Sequence, residues 1–141
     1  MRHHLFSRRV AGWAVDSHMR ASLCVQALLM AFWRMRPEPG LLHHSDRGSQ
    51  YASAEYREQM KAMDMRQSMS RKGNCWDNSP TERVFRSLKH EQLNYERFAT
   101  REAAKSSVID YLAFYNGRRS HSTLGYKSPL EFEREFYRKA T

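Results

Sequence analysis

Two carboxylates in this chain have neighbours that would let them meet a cation and a phosphate. Asp46 stands in His43-His44-Ser45-Asp46-Arg47-Gly48, where a short segment that starts apolar hands over to a turn. In open α/β sheets ligands bind at the carboxyl ends of strands. An Asp placed there reaches into a cleft, and Gly48 lets the backbone turn away sharply. Glu82 closes Ser79-Pro80-Thr81-Glu82 at the head of a helical pattern, and Arg86 and Lys89 come four and seven residues after it. The three share one helical face. Paired carboxylates can hold Mg²⁺, a hard cation that takes oxygen ligands and keeps several waters. A carboxylate opening a face that turns basic suits a site where a metal meets a phosphate chain. Each feature also has a plainer structural reading. Asp46-x-Gly48 fits an Asx turn, Ser79-x-x-Glu82 fits a capping box, and Arg86 with Lys89 fits a solvated helix face.

Further basic residues lie in Tyr115-Asn116-Gly117-Arg118-Arg119-Ser120-His121. Arg118 and Arg119 can contact phosphates there, or they can simply complement a helix C-terminus. The pairs His3-His4 and His43-His44 raise zinc as a question. With no partner Cys or His at ligand spacing, strand and surface positions are the better account. Lys plus Arg number 24 against 15 Asp plus Glu, a formal charge of +9, which points to a polyanion, most often nucleic acid. No apolar run approaches the eighteen or so residues of a membrane span. The start MRHHLFSRRV has no apolar stretch of the signal-peptide kind behind its basic residues. Cys24 and Cys75 have no metal or disulfide-framework spacing. A cytoplasmic protein without a membrane partner is expected.

These residues need a scaffold, and the sequence outlines an α/β one of a single domain over 1–141, read as a core at 1–117 and a basic tail at 118–141. Apolar residues within Arg8 to Val15 favour a short strand. Asp16 or Ser17 is placed to cap a helix reaching Met35, with Val25, Leu28, Phe32 and Met35 on one face. Pro37, Pro39 and Gly40 stop it. Leu41 to Asp46 reads as a buried strand, Ser53 to Met63 as a helix with Tyr56, Met60 and Met63 on one side, and Met65 to Ser68 as another short strand. Residues 70–80 are rich in turn formers and predict a mobile loop. A helix with Pro80 at its first position runs to about Leu93, with Phe85, Leu88 and Gln92 on one side. A last long helix covers Thr100 to Asn116, with Ala104, Val108, Tyr111, Leu112 and Tyr115 facing inward and Asn116-Gly117 ending it. Ser128-Pro129 opens a short helix in the tail. Alternating strands and helices give an α/β class, although only about three short strands are available, fewer than the usual five or six.

Four blocks in order, LFSRRVAGWAV at 5–15, HHSDRGSQY at 43–51, GNCWDNSPTERVFRSLKHE at 73–91 and YNGRRSHSTLGYKSPLEF at 115–132, resemble the catalytic core of bacterial insertion-sequence transposases of the retrovirus-like integrase kind. Thirty-five residues separate Asp46 from Glu82, the spacing this family has between its second and third catalytic acids, and Lys89 matches its basic residue after the Glu. The resemblance implies a ribonuclease H-like fold. It also implies a two-metal Asp-Asp-Glu site using Mg²⁺ or Mn²⁺ for phosphodiester cleavage and strand transfer, and DNA partners in the element's ends and target. Asp46 would be the middle acid, Glu82 the last, and Lys89 a contact to the DNA end, to which Arg86 on the same face is added from helical geometry. The family's first catalytic Asp has no counterpart, since Asp16 sits at a helix start. The expectation is therefore a core lacking its first strand and most of its second, from a truncated or internally initiated transposase of impaired activity, self-associating or joining full-length transposase at the bacterial nucleoid. The competing expectation is a non-catalytic DNA-binding or regulatory fragment.

Overall fold

A computed structural model of the protein describes residues 2–16, 18–69 and 79–140. The chain forms two compact units, Met1–Arg2 with Ala11–Glu82 and His3–Val10 with Arg83–Thr141. Strands β1 (Arg2–His3) and β2 (Val10–Gly12) pair as a two-stranded ribbon.

In the first unit, helix α1 (Ala21–Met35) buries Cys24, Val25, Ala27 and Leu28. It packs backbone-close on β2, for a Cβ added at Gly12 would lie 2.2 Å from the Ala27 carbonyl oxygen. Only glycine fits there. The helix does not start at Asp16 or Ser17. Its N-cap is Arg20, with no side-chain capping bond. A cap contributes only about 1 kcal/mol, too little to extend a helix whose place is set by its seat on Gly12. Arg36, left-handed at φ 43°, ends α1 by donating its N–H to the Phe32 carbonyl.

Strand β3 (Leu42–Ser45) leads through α2 (Ser49–Ala52) and α3 (Ala54–Ala62) to β4 (Arg66–Met69). The strands pair in parallel, from Leu42 opposite Arg66 to Ser45 opposite Met69. Parallel neighbours need a crossover, and α2 with α3 supply it. Ser53 caps α3 by accepting the Tyr56 N–H. Tyr56 and Met60 then pack with Cys24, Val25 and Leu28 into the unit's core, edged by Tyr51, Met63 and Met65. The expectation of a buried strand fails at β3, where Leu42 is 57% exposed and only Ser45 is buried. A parallel strand is buried only where packed elements cover both faces of its sheet, and Leu42 is left uncovered. His43 bonds the Tyr56 hydroxyl at 3.0 Å and His44 bonds Ser68 at 3.1 Å, so both histidines tie elements together.

In the second unit, α4 (Ser79–Glu91), which begins at the end of the first unit, is succeeded by a 3₁₀ turn (Leu93–Tyr95) and α5 (Arg101–Gly117). A second 3₁₀ turn (Ser122–Leu124) precedes α6 (Pro129–Ala140). The buried stripe of α4 is Val84 and Leu88, while Phe85 is 43% exposed. Phe85 and Leu88 lie about 60° apart on a helix, and the inner face is centred beyond Leu88, towards Val84. Thr100 caps α5 through the Ala103 N–H, and Tyr111, Leu112 and Tyr115 are buried as expected. The helix does not end on a left-handed glycine. Gly117 is helical, and Arg118 at φ −133° breaks the turn.

Asn116 is buried and clasps Val10, accepting its N–H at 2.8 Å and donating to its carbonyl at 2.9 Å. The carboxamide does for Val10 what a neighbouring strand would do. Helix α6 holds the same segment. Phe6 packs edge-on against Phe132 and Phe136, and buried Glu133 accepts from Ser7 at 2.5 Å and Arg9 at 3.2 Å. Burial pushes the Glu133 carboxyl up, but hydrogen bonds from His4 and Ser7 and the charge of Arg9 outweigh it and hold the group below its ordinary range. The expected mobile loop at 70–80 lies outside the described residues, apart from Ser79 and Pro80, which are already helical.

Candidate functional site

Asp46 stands directly after β3 and is exposed. Its Oδ1 accepts the Gly48 N–H at 2.8 Å, an Asx turn. A Cβ on Gly48 would lie 2.9 Å from that oxygen, so glycine keeps the turn tight. The structural reading of Asp46 is thus realised, and it leaves room for the chemical one. A carboxylate has about four acceptor positions, and the turn uses one.

Glu82 is exposed on the first turn of α4, and the side chain of Ser79 lies outside the described residues. At about 100° per residue, Arg86 and Lys89 fall about 40° and 20° either side of Glu82. All three are exposed. Glu91 lies about 180° away, on the side of buried Val84 and Leu88. One flank of α4 therefore carries a carboxylate and two cations outward, and the other is packed. Among the described residues no three His, Cys, Asp or Glu side chains gather as a metal cluster. Asp46 and Glu82 are each exposed, and a divalent cation held by such carboxylates would keep much of its water.

The two tail arginines part company. Arg118 is exposed, its guanidinium 5.7 Å over the Phe114 ring. Arg119 forks onto Glu91, with Nη2 2.5 Å from Oε1 and Nε 2.9 Å from Oε2, and the Tyr111 hydroxyl donates to Oε2 at 2.7 Å. The Arg119 hydrogen bonds hold the Glu91 carboxyl low against the opposing effect of burial. Burial, then the hydrogen bond to Glu91, pushes Tyr111 up. Burial and the Arg119 charge lower His121, which keeps its ring neutral at neutral pH. Sequence reasoning passed over Glu91, although a signal was present. A glutamate in the last turn of a helix opposes the dipole and calls for a cation from elsewhere.

A family profile described as "Integrase core domain" matches residues 4–75, and a second of the same description matches residues 63–129. The chain belongs to the integrase core domain family. This integrase core is 40% identical over 131 residues to the transposase for insertion sequence element IS904 of Lactococcus lactis subsp. lactis, covering 92% of this chain and 52% of that protein. It is 44% identical over 130 residues to the transposase InsF for insertion sequence IS3A of Escherichia coli K12, covering 92% of this chain and 45% of the relative. The chain thus spans about half the length of these curated relatives. In solved structures the HTLV-2 integrase catalytic core domain, described in complex with magnesium and as a trimeric form, matches at a TM-score of 0.69 and 16% identity. That match covers 90% of this chain and 78% of the other. The catalytic core of BIV integrase matches at 0.60 and 22%, covering 90% and 80%. The fold is the mixed α/β, ribonuclease H-like fold of retroviral integrase cores. Among the described residues no helix is long and apolar enough to cross a membrane.

Proposed function

We propose that this chain is a DNA-acting integrase core of the insertion-element transposase line, working on element ends and target DNA at the nucleoid. The observation that carries the reading is the outward flank of α4, where Glu82, Arg86 and Lys89 share one exposed face opposite the packed Val84 and Leu88. Arg86 and Lys89 contact the phosphate chain, joined by exposed Arg118, and these contacts supply sequence-independent affinity. Asp46 and Glu82 would hold Mg²⁺ or Mn²⁺. When bound, such ions activate a water or a DNA 3′-hydroxyl and stabilise the leaving oxygen. The protein's own part is to present Glu82 on the same helical face of α4 as Arg86 and Lys89, which orient the phosphodiester. The chain associates with further copies of itself or with full-length transposase. The competing reading, a non-catalytic DNA-binding or regulatory protein, needs only the basic face and has no use for Asp46 and Glu82.

Two measurements test the proposal on the full chain. Binding to a labelled DNA duplex should weaken steeply with salt, the logarithm of affinity falling by about 0.9 per phosphate contact for each tenfold rise in salt. Affinity that stays flat overturns the DNA reading. Calorimetric titration with Mn²⁺ should show binding that Asp46→Asn removes. Equal affinity in that variant overturns the metal assignment and leaves the binding fragment as the account.

A further inference from the structure

The proposed chemistry leaves a cluster unused at the far end of α4. Glu91 sits in the last turn, where the helix dipole disfavours a carboxylate, and Arg119 meets it with a fork of hydrogen bonds. Bidentate pairing of this kind adds geometric specificity to energy. Arg119 is itself held on several sides. Its backbone N–H donates to the Phe114 carbonyl at 2.8 Å, and its guanidinium lies 5.7 Å over the Tyr115 ring. His121, 9% exposed, stands edge-on to that ring at 4.7 Å, with Nδ1 3.5 Å from Arg119 Nη1. The Tyr111 hydroxyl supports Glu91 from α5. The grip therefore joins α4 to the end of α5, inside one compact unit.

We infer that Glu91 and Arg119 are a positioning pair: their fork fixes the inward flank of α4 on α5 and so holds Arg86 and Lys89, on the opposite flank, in place for DNA phosphates. The inference rests on the DNA reading of α4. It gives Arg119 a part inside the protein, where the sequence had offered it as a phosphate contact. Its neighbour Arg118, exposed beside Phe114, keeps the external part.

The two parts predict opposite signs in one experiment. The full chain is titrated onto a fluorescein-labelled DNA duplex of mixed sequence and monitored by anisotropy between about 50 and 200 mM salt. Glu91→Gln keeps the shape of the side chain, frees Arg119 and removes a negative charge. Positioning makes this variant bind about five- to tenfold more weakly, whereas a direct phosphate role for Arg119 makes it bind more tightly. Lys89→Ala should cost about tenfold in the wild-type chain and less than about twofold beside Glu91→Gln. A merely structural role would leave those two costs equal in chains that circular dichroism reports as folded. Should Glu91→Gln fail to fold, the exchange of Glu91→Arg with Arg119→Glu rebuilds the pair and decides by itself, since positioning requires affinity within about twofold of wild type. Tighter or unchanged binding by Glu91→Gln, equal costs of Lys89→Ala, or no recovery in the folded exchange overturns the positioning pair and leaves the DNA reading standing. A wild-type chain that ignores the duplex overturns the DNA reading itself.

Discussion

The same four-residue pattern opens two helices of this molecule. Ser79-Pro80-Thr81-Glu82 begins α4, and Ser128-Pro129-Leu130-Glu131 begins α6. At α6 the pattern is wholly structural. Glu131 accepts the Ser128 N–H at 2.9 Å, and the Ser128 hydroxyl accepts the Glu131 N–H at 3.3 Å, a reciprocal capping box with Ser128 and Pro129 buried. The helix faces behind the two glutamates also differ. Four and seven residues after Glu131 come Glu135 and Arg138, and Glu135 is ion-paired with Lys127. At the same offsets after Glu82 come Arg86 and Lys89, both exposed. A pattern of caps marks where a helix starts, and the faces behind the two glutamates differ in what they leave exposed.

The contrast is open to several tests. Glu133→Ala removes the buried carboxylate of α6, and with it the acceptor of Ser7 and the ion pair with Arg9. Chemical denaturation should show a loss of about 3 kcal/mol. Arg86→Ala on the outward flank of α4 should stay within about 0.5 kcal/mol of wild type. Similar losses would mean that the two helices are not divided between scaffold and site. Next in size, Glu82→Gln should weaken Mn²⁺ binding by at least about tenfold, about 1.4 kcal/mol, while Glu131→Gln leaves it unchanged in the same calorimeter. Equal effects would erase the distinction between the two glutamates. Ser128→Ala should lower stability by about 1 kcal/mol with DNA affinity intact, as the loss of a cap does.

The smallest effect is one of pH. The Glu133 carboxyl is held below its ordinary value in the fold, so its contribution is complete at neutral pH. It is lost as pH falls below the ordinary carboxylate range and through the folded value. Thermal melts of Glu133→Gln should therefore show a shallower acid limb than wild type. His121 acts further up the scale, because its folded value lies below 6.5. Stability should begin to fall as pH drops past 6.5, where the unfolded ring takes up its proton first. Parallel acid limbs in wild type and Glu133→Gln would remove Glu133 from the account.

Periodicity and turn chemistry made much of this fold legible. The cores of α1, α3 and α5 and the helix opening at Pro129 lie where Val25, Tyr56, Tyr111 and their partners put them, because a buried stripe is written locally. The candidate site at Asp46, Glu82 and Lys89 came from the family resemblance those residues carry, and it stands as the proposal made above. The features that escaped depend on partners distant in sequence. The start of α1 is set by its seat on Gly12, the exposure of Leu42 by what packs over its sheet face, and the inward turn of Val84 past Phe85 by where α4 packs. The pairing of Arg119 was not legible because Glu91, its partner, lies twenty-eight residues earlier on α4.

The clasp of Asn116 on Val10 bears on how the protein is made. Its two residues are 106 positions apart, and Ser7 lies 126 positions before Glu133. Translation proceeds from the N-terminal side at about 5–20 residues per second. The segment from His4 to Val10 therefore spends roughly 6 to 25 s outside the place built for it. Through that interval Phe6 has no Phe132 or Phe136 to pack against, and the backbone of Val10 is an unclaimed strand edge. The ribosome thus delivers the second unit's first residues well before the residues of α5 and α6 that hold them.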